Sequence, residues 1–116
     1  MDKTDKRILQ IMIEKIERIT EVVSSQTKEE IESNYIYVDT LSYEFEKLYE
    51  DCTRLSPTLL IEHPNIPIKE LRSIRNRVAH DYESVIIEIL IETAINDLPR
   101  FKNIIESILS NQKEAD

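Results

Sequence analysis

Arg75, Asn76, His80 and Tyr82 fall within one short segment, Arg75-Asn76-Arg77-Val78-Ala79-His80-Asp81-Tyr82, and their types suit phosphodiester chemistry. Arginine clamps a phosphate through two parallel hydrogen bonds and keeps its charge near neutral pH. Histidine titrates near neutrality and can pass a proton. The Asn76 amide both donates and accepts, and so can orient an imidazole or a phosphate. Metal-free RNA cleavage needs a base for the ribose 2′-hydroxyl, an acid for the leaving oxygen and a cation for the developing charge. The chain holds two histidines, His63 and His80, and His63 lies between prolines with no evident polar partner. One chain therefore offers one good proton-transfer group. A twofold dimer would supply a second His80 and a second Arg75 at once. The chemistry asks for that dimer; the sequence does not display it.

The segment sits at the end of an expected helix, roughly Ile68 to Ala79, the third long one of the chain. At about 100° per residue, Leu71, Ile74 and Val78 share an apolar arc of roughly 60°. Arg72, Arg75, Asn76, Ala79 and His80 fall on a separate arc of about 140°, with Lys69 at its edge. The helix thus docks by one side and shows a cationic, hydrogen-bonding side beside it. Each residue also has a plainer reading. Arg75 can serve a surface ion pair, and Arg72 and Arg77 can be solvated charges. His80 can simply complement a helix C-terminus, and Tyr82 can pack with its hydroxyl in water. Acid pairs such as Glu29-Glu30 and Asp81-Glu83 make no metal cluster with the histidines, so no metal site is expected. A phosphate-binding glycine loop is impossible, because the chain has no glycine. Residue chemistry alone reaches a helical bundle with a cationic patch.

Composition sets the frame. With 116 residues the chain has room for a single domain, residues 1–116, and one modest core. The absence of glycine favours helices over strands with tight turns. A net charge of −8 should repel nucleic acid overall, so polyanion binding must rest on a local patch, and no DNA partner is expected. Cys52 is the single cysteine and falls at a helical core position, which points to a buried structural thiol. The N-terminal segment carries neither a signal peptide nor a membrane-spanning run, so no membrane association is expected and the cytosol is the expected compartment.

Periodicity supplies the elements that must hold the patch. Ile8, Met12, Ile16, Ile19 and Val23 step by three or four and make a first helix from about Asp5 to Val23. Ser24 to Thr27 reads as a break, with Thr27 and Glu30 spaced for a reciprocal cap. Ile31, Tyr35, Val38, Leu41, Phe45, Leu48, Cys52 and Leu55 form one seam of a second long helix. Asn34 is placed to split off a short helix at its start. Ser56-Pro57 ends that run, and Thr58 to Glu62 reads as a short turn. Pro67 suits the first position of the third helix. A fourth begins near Ser84 and carries Val85, Ile86, Ile89, Leu90 and Ile95. Pro99 either restarts a fifth or kinks one long helix. The expected fold is all-α, an antiparallel up-and-down bundle of four to five helices.

The segment His63-Pro64-Asn65-Ile66-Pro67, the helix leading into Arg75–Tyr82, and Asn96-Asp97-Leu98-Pro99 together resemble the HepT-like branch of the HEPN superfamily. That branch is marked by Arg, four residues, His, one residue and Tyr, which Arg75, His80 and Tyr82 match. An Asn directly after the Arg, as Asn76 is here, is also typical. The resemblance covers nearly the whole chain. It implies a HEPN-like helical bundle that forms a homodimer with two motifs facing across a cleft. It also implies a metal-independent endoribonuclease, without a cofactor, acting as the toxin of a toxin–antitoxin pair. The implied partner is an MntA-type nucleotidyltransferase antitoxin that transfers AMP to the motif tyrosine. By position, Arg75 and His80 would be catalytic, Asn76 would support them, and Tyr82 would be the modified residue. Arg72 and Lys69 are the expected RNA-binding cations.

Two positions depart from the usual pattern. Many relatives carry an aromatic-Gly-x-Asp run after the tyrosine, where Glu83-Ser84-Val85-Ile86 stands here. Many also have a Gly before a Glu in the second long helix, where Tyr49 precedes Glu50. These changes leave open a second expectation, a non-catalytic module that docks a nucleotidyltransferase. A purely structural helical dimer is a third.

Overall fold

Polar residues ahead of the apolar runs start most of the helices. In the computed structural model, residues 1–81 and 83–115 are described, with the backbone alone for 83, 84 and 112–115. Tyr82, the expected modification site, therefore lies outside the described residues. The Asp2 carboxylate accepts from the Asp5 N–H at 2.9 Å and opens α1, Lys3–Ser25. Thr27 and Glu30 exchange hydrogen bonds of 3.0 and 3.1 Å, closing the expected reciprocal cap on α2, Lys28–Glu32. The Asn34 side chain accepts from the Ile36 N–H and starts α3, Tyr35–Thr53. Ser56 caps α4, Pro57–Glu62. The remaining elements are α5, Ile68–His80, α6, Glu83–Asn96, and α7, Leu98–Ala115.

Among the described residues the fold is all-α, with five long helices and two short ones. The short pair, α2 and α4, extends the expected four to five, and both have local causes. Asn34 caps a new helix instead of continuing the old one, and Pro57 opens a helix where a turn was expected. The new start at Asn34 also corrects the seam of the second long helix. Ile31 is buried in α2, but Tyr35 is 72% exposed, because α3 begins in its own phase. Pro67 is placed just before α5 and not as its first helical residue; its ψ of 49° is non-helical. At the other end of the chain, Asn96 ends α6 and Leu98 begins α7, so Pro99 sits in the first turn of a restarted helix, where it costs no hydrogen bond.

The core is one apolar cluster. Leu9, Met12, Leu41, Phe45, Leu48, Leu90, Leu98, Phe101 and Ile105 are all essentially solvent-free within it. α1 packs on α3, α6 and α7, while α5 lies against α3 and α6 at the edge of this assembly. Two buried carboxylates tie the helices together. Asp5 accepts from the Ser56 N–H and hydroxyl at 2.8 and 2.6 Å, joining the starts of α1 and α4. Asp51 pairs with Lys15 across α1 and α3 and with Arg54 at 2.8 Å. Cys52 is buried as expected, and burial, with the charges of Asp51 and Glu70 adding, pushes its thiol up to about 12. No helix of the described residues is long and apolar enough to cross a membrane.

Candidate active site

α5 is held to the core by few side chains. Leu71 and Ile74 are buried and Val78 is half-buried, as the apolar arc requires. The opposite side faces outward, with Lys69, Arg72, Arg75, Asn76, Ala79 and His80 all exposed. The helix ends at His80 because the backbone turns extended at Asp81, whose N–H still donates to the Arg77 carbonyl at 2.8 Å. The Arg77 Nε also donates to the Asp81 carboxylate at 2.9 Å, closing the last turn.

An open groove of about 400 Å³ runs along this side, lined by Lys69, Arg72, Ser73, Asn76, Arg77, His80 and Asp81. It gathers the expected residues Lys69, Arg72, Asn76 and His80, and its cations Lys69, Arg72 and Arg77 face one carboxylate, Asp81. Among the described residues Asn76 and His80 have no side-chain partner, so their polar atoms are available to a ligand. No group of three or more His, Cys, Asp or Glu among the described residues is placed to hold a metal ion.

Arg75 is not part of the groove lining. Its guanidinium turns toward α3 and lies over the Tyr49 ring, 5.1 Å from the centroid. Arg72 reaches the same residue, its Nε donating to the Tyr49 hydroxyl at 3.2 Å. That hydrogen bond is the main reason the Tyr49 phenol is held below its ordinary value. Partial burial opposes it, and the charge of Arg72 and the contact with Arg75 add to it. Arg75 and His80, five positions apart, stand about 140° around the helix and about 7.5 Å along it. One chain therefore places Arg72 between two flanks, Arg75 with Tyr49 on one and His80 with Asn76 on the other.

Sequence reasoning did not single out Ser73, read Arg77 only as a solvated charge, and met Tyr49 only as a departure from the family pattern. Ser73 and Arg77 continue the exposed side of α5, so a wider arc on the helical wheel would have included them. Tyr49 follows Leu48 on α3 and lies just off the apolar seam, an edge position that signals contact with a neighbouring helix but not with which one. His63, the other histidine, ends α4 away from the groove lining.

The sequence model of the family described as Ribonuclease HepT-like matches residues 12–108. A protein named Putative RNase TTE0752, from Caldanaerobacter subterraneus subsp. tengcongensis, is 22% identical over 111 residues, covering 96% of this chain and 99% of that protein. No solved structure matches the chain significantly.

Proposed function

The chain belongs to the Ribonuclease HepT-like family, and from that premise we propose that it is a metal-independent endoribonuclease, the toxin of a toxin–antitoxin pair. The observation that carries the reading is the outward side of α5, where Lys69, Arg72, Asn76 and His80 line one cationic groove with Arg75 on its flank. The reaction is an internal transesterification. A base takes the 2′-hydroxyl proton, the 2′-oxygen attacks phosphorus, and the bond to the 5′-oxygen breaks as an acid protonates that oxygen. A 2′,3′-cyclic phosphate and a 5′-hydroxyl result. His80 takes the 2′-hydroxyl proton and returns it to the leaving 5′-oxygen, and Arg75 stabilises the charge that develops on the phosphoryl oxygens. Asn76 orients the imidazole or the phosphate. Lys69 and Arg72 hold flanking phosphates of the RNA.

A homodimer completes the site on this reading. Within one chain Arg75 and His80 point to different flanks, so a twofold partner would bring the Arg75 of one copy to the His80 of the other. Control falls to Tyr82, two positions beyond His80. An MntA-type nucleotidyltransferase would transfer AMP from ATP to its phenol oxygen with release of pyrophosphate. The added bulk and negative charge, two positions from His80 in the sequence, would compete with RNA phosphate for the cations of α5.

The test is RNA cleavage by the purified, unmodified chain in EDTA, beside His80→Ala and Arg75→Ala. Both variants should lose cleavage and growth arrest while keeping the helical circular dichroism of the parent. Full activity in both would sink the assignment. The divergence of Arg75 and His80 within one chain also favours a second reading, a non-catalytic module that docks the nucleotidyltransferase. Tight complex formation without cleavage by the isolated, dimeric chain would select it.

A further inference from the structure

The chain is strongly acidic, and its arginines mostly find carboxylates. Arg7 pairs with Glu14, Arg18 with Glu44, Arg54 with Asp51, Arg77 with Asp81 and Arg100 with Asp97. Among the described residues Arg72 and Arg75 are the exceptions. What they share is Tyr49, a half-buried residue projecting from α3.

The two contacts differ in a way that matters for anion binding. Arg75 meets the ring with its guanidinium 5.1 Å from the centroid. Arg75 lies over the ring without a carboxylate partner among the described residues, so its charge is not neutralised there. Arg72 gives only its Nε to the Tyr49 hydroxyl. Among the described residues its Nη donors, at the end of the fork, have no partner, and they are the edge that grips a phosphate in pairs. A carboxylate in place of Tyr49 would hold the same side chains but neutralise them and occupy those donors. A neutral phenol orients both and leaves both charges unspent.

We propose that Tyr49 is a positioning residue that presents the guanidinium groups of Arg72 and Arg75 together to the phosphates of a single-stranded RNA. The assignment rests on the ribonuclease reading of α5 for its substrate. It adds a residue on a second helix, acting through two arginines with separable roles. The hydroxyl serves chiefly Arg72, with a smaller contact to Arg75, and hence substrate binding; the ring holds Arg75 and hence serves the chemical step.

Tyr49→Phe keeps the ring and removes the hydroxyl, whereas Tyr49→Leu removes both. In cleavage of a fluorogenic RNA, Tyr49→Phe should raise KM about threefold and leave kcat within about twofold. Tyr49→Leu should raise KM similarly and lower kcat about tenfold, since a misplaced cation loses the transition-state contact. Phenylalanine thus rescues kcat but not KM. A merely structural role would move both variants together with their melting temperatures. Binding of a 2′-O-methyl RNA oligonucleotide, which cannot be cleaved, is measured in parallel and should weaken about threefold in Tyr49→Phe. The double variant Tyr49→Phe/Arg72→Ala should bind it no worse than Arg72→Ala alone. A parent protein that binds the oligonucleotide but cleaves nothing would end the ribonuclease reading, and the binding series would still decide the role of Tyr49. Unchanged binding in Tyr49→Phe, equal loss of kcat in the Phe and Leu variants, or independent effects in the double variant would each overturn the proposal. Should Tyr49→Leu fail to fold, the Phe variant and the double variant carry the test.

Discussion

If the active site is shared between two copies, two inactive variants should rescue each other. An α-helix with its side chains is about 11 Å across, so groups 140° apart on its surface are separated by a chord of about 10 Å. Adding the axial offset of about 7.5 Å places the reach of Arg75 and His80 roughly 13 Å apart within one chain. Two groups acting on one phosphoryl centre, each within about 3 Å of its target oxygen, must lie within about 7 Å of each other. The intrachain pair misses this by roughly a factor of two, and Arg75 is further turned away by its contact with Tyr49. Arg75→Ala and His80→Ala are therefore co-expressed with different tags, and the mixed dimer is isolated through both. Each mixed dimer holds one site with intact Arg75 from one copy and intact His80 from the other, and one site with neither. Its specific activity should be about half that of the parent, and an unsorted equal mixture, half of it mixed dimers, should reach about a quarter. The assay is cleavage of a fluorogenic RNA, with dimer composition read by native mass spectrometry. A mixed dimer as inactive as either pure variant, its composition verified, would refute a site built from one Arg75 and one His80 of different copies.

Two further predictions concern the scaffold. Asp51→Ala should cost about 3–5 kcal/mol of stability, because it leaves the Lys15 ammonium without its partner between α1 and α3. Urea unfolding measures this, and a loss under about 1 kcal/mol would mean that the ammonium escapes to water. The second prediction is a dependence on pH. The Cys52 thiol, pushed up to about 12 in the fold, ionises near its ordinary value of 9.0 once the chain unfolds. Its contribution is thus fully present below pH 9 and declines as pH rises toward 12, since only the unfolded state sheds the proton there. The urea midpoint of the parent should fall more steeply across pH 9 to 10.5 than that of Cys52→Ala, and parallel curves would show the thiol to be accessible.

Much of this architecture was legible in residue spacing because helices announce themselves twice, by an apolar period and by caps. Ile8, Met12, Ile16 and Ile19 step along one stripe and are all buried, and Thr27 with Glu30 closes the reciprocal cap. The docked and outward sides of α5 followed in the same way from Leu71, Ile74 and Val78. Tyr35 shows where this reasoning stops: it continues the numerical period of Ile31, but a new helix begins at Asn34, and a period does not carry its phase across a cap. Tyr49 shows a second limit. An edge residue on one helix has no sequence signal for which side chains of another it will meet, so its contacts with Arg72 and Arg75 needed the packing of α3 on α5. The groove met the same limit. The wheel puts Arg75 and His80 at opposite ends of one broad arc, and only the contact with Tyr49 shows that Arg75 stays out of the groove.

The acidity of the chain constrains how such a site can work. With a net charge of −8, the protein repels RNA at long range, and attraction must come from the few uncompensated cations at close range. Arg77 is spoken for by Asp81, which leaves Lys69, Arg72 and Arg75 as the cations of this face without a carboxylate partner among the described residues. A site resting on three charges is easily reversed, because a single phosphodiester next to it cancels a third of them. For the same reason binding should respond only modestly to salt, with a slope of about −2 in log affinity against log salt for a single strand. On the proposed reading, that thin margin is what makes AMP on Tyr82 an effective off-state. The modification need not reshape the helix; it has only to place one negative charge where the sum of local charge is already small. A face built from many cations would bind RNA more tightly and would resist the same switch. The contrast can be tested by adding charge instead of removing it. Ser73→Lys in the groove should strengthen RNA binding and weaken the inhibition that AMP on Tyr82 imposes, and inhibition left equally complete would mean that the modification acts by bulk rather than by charge.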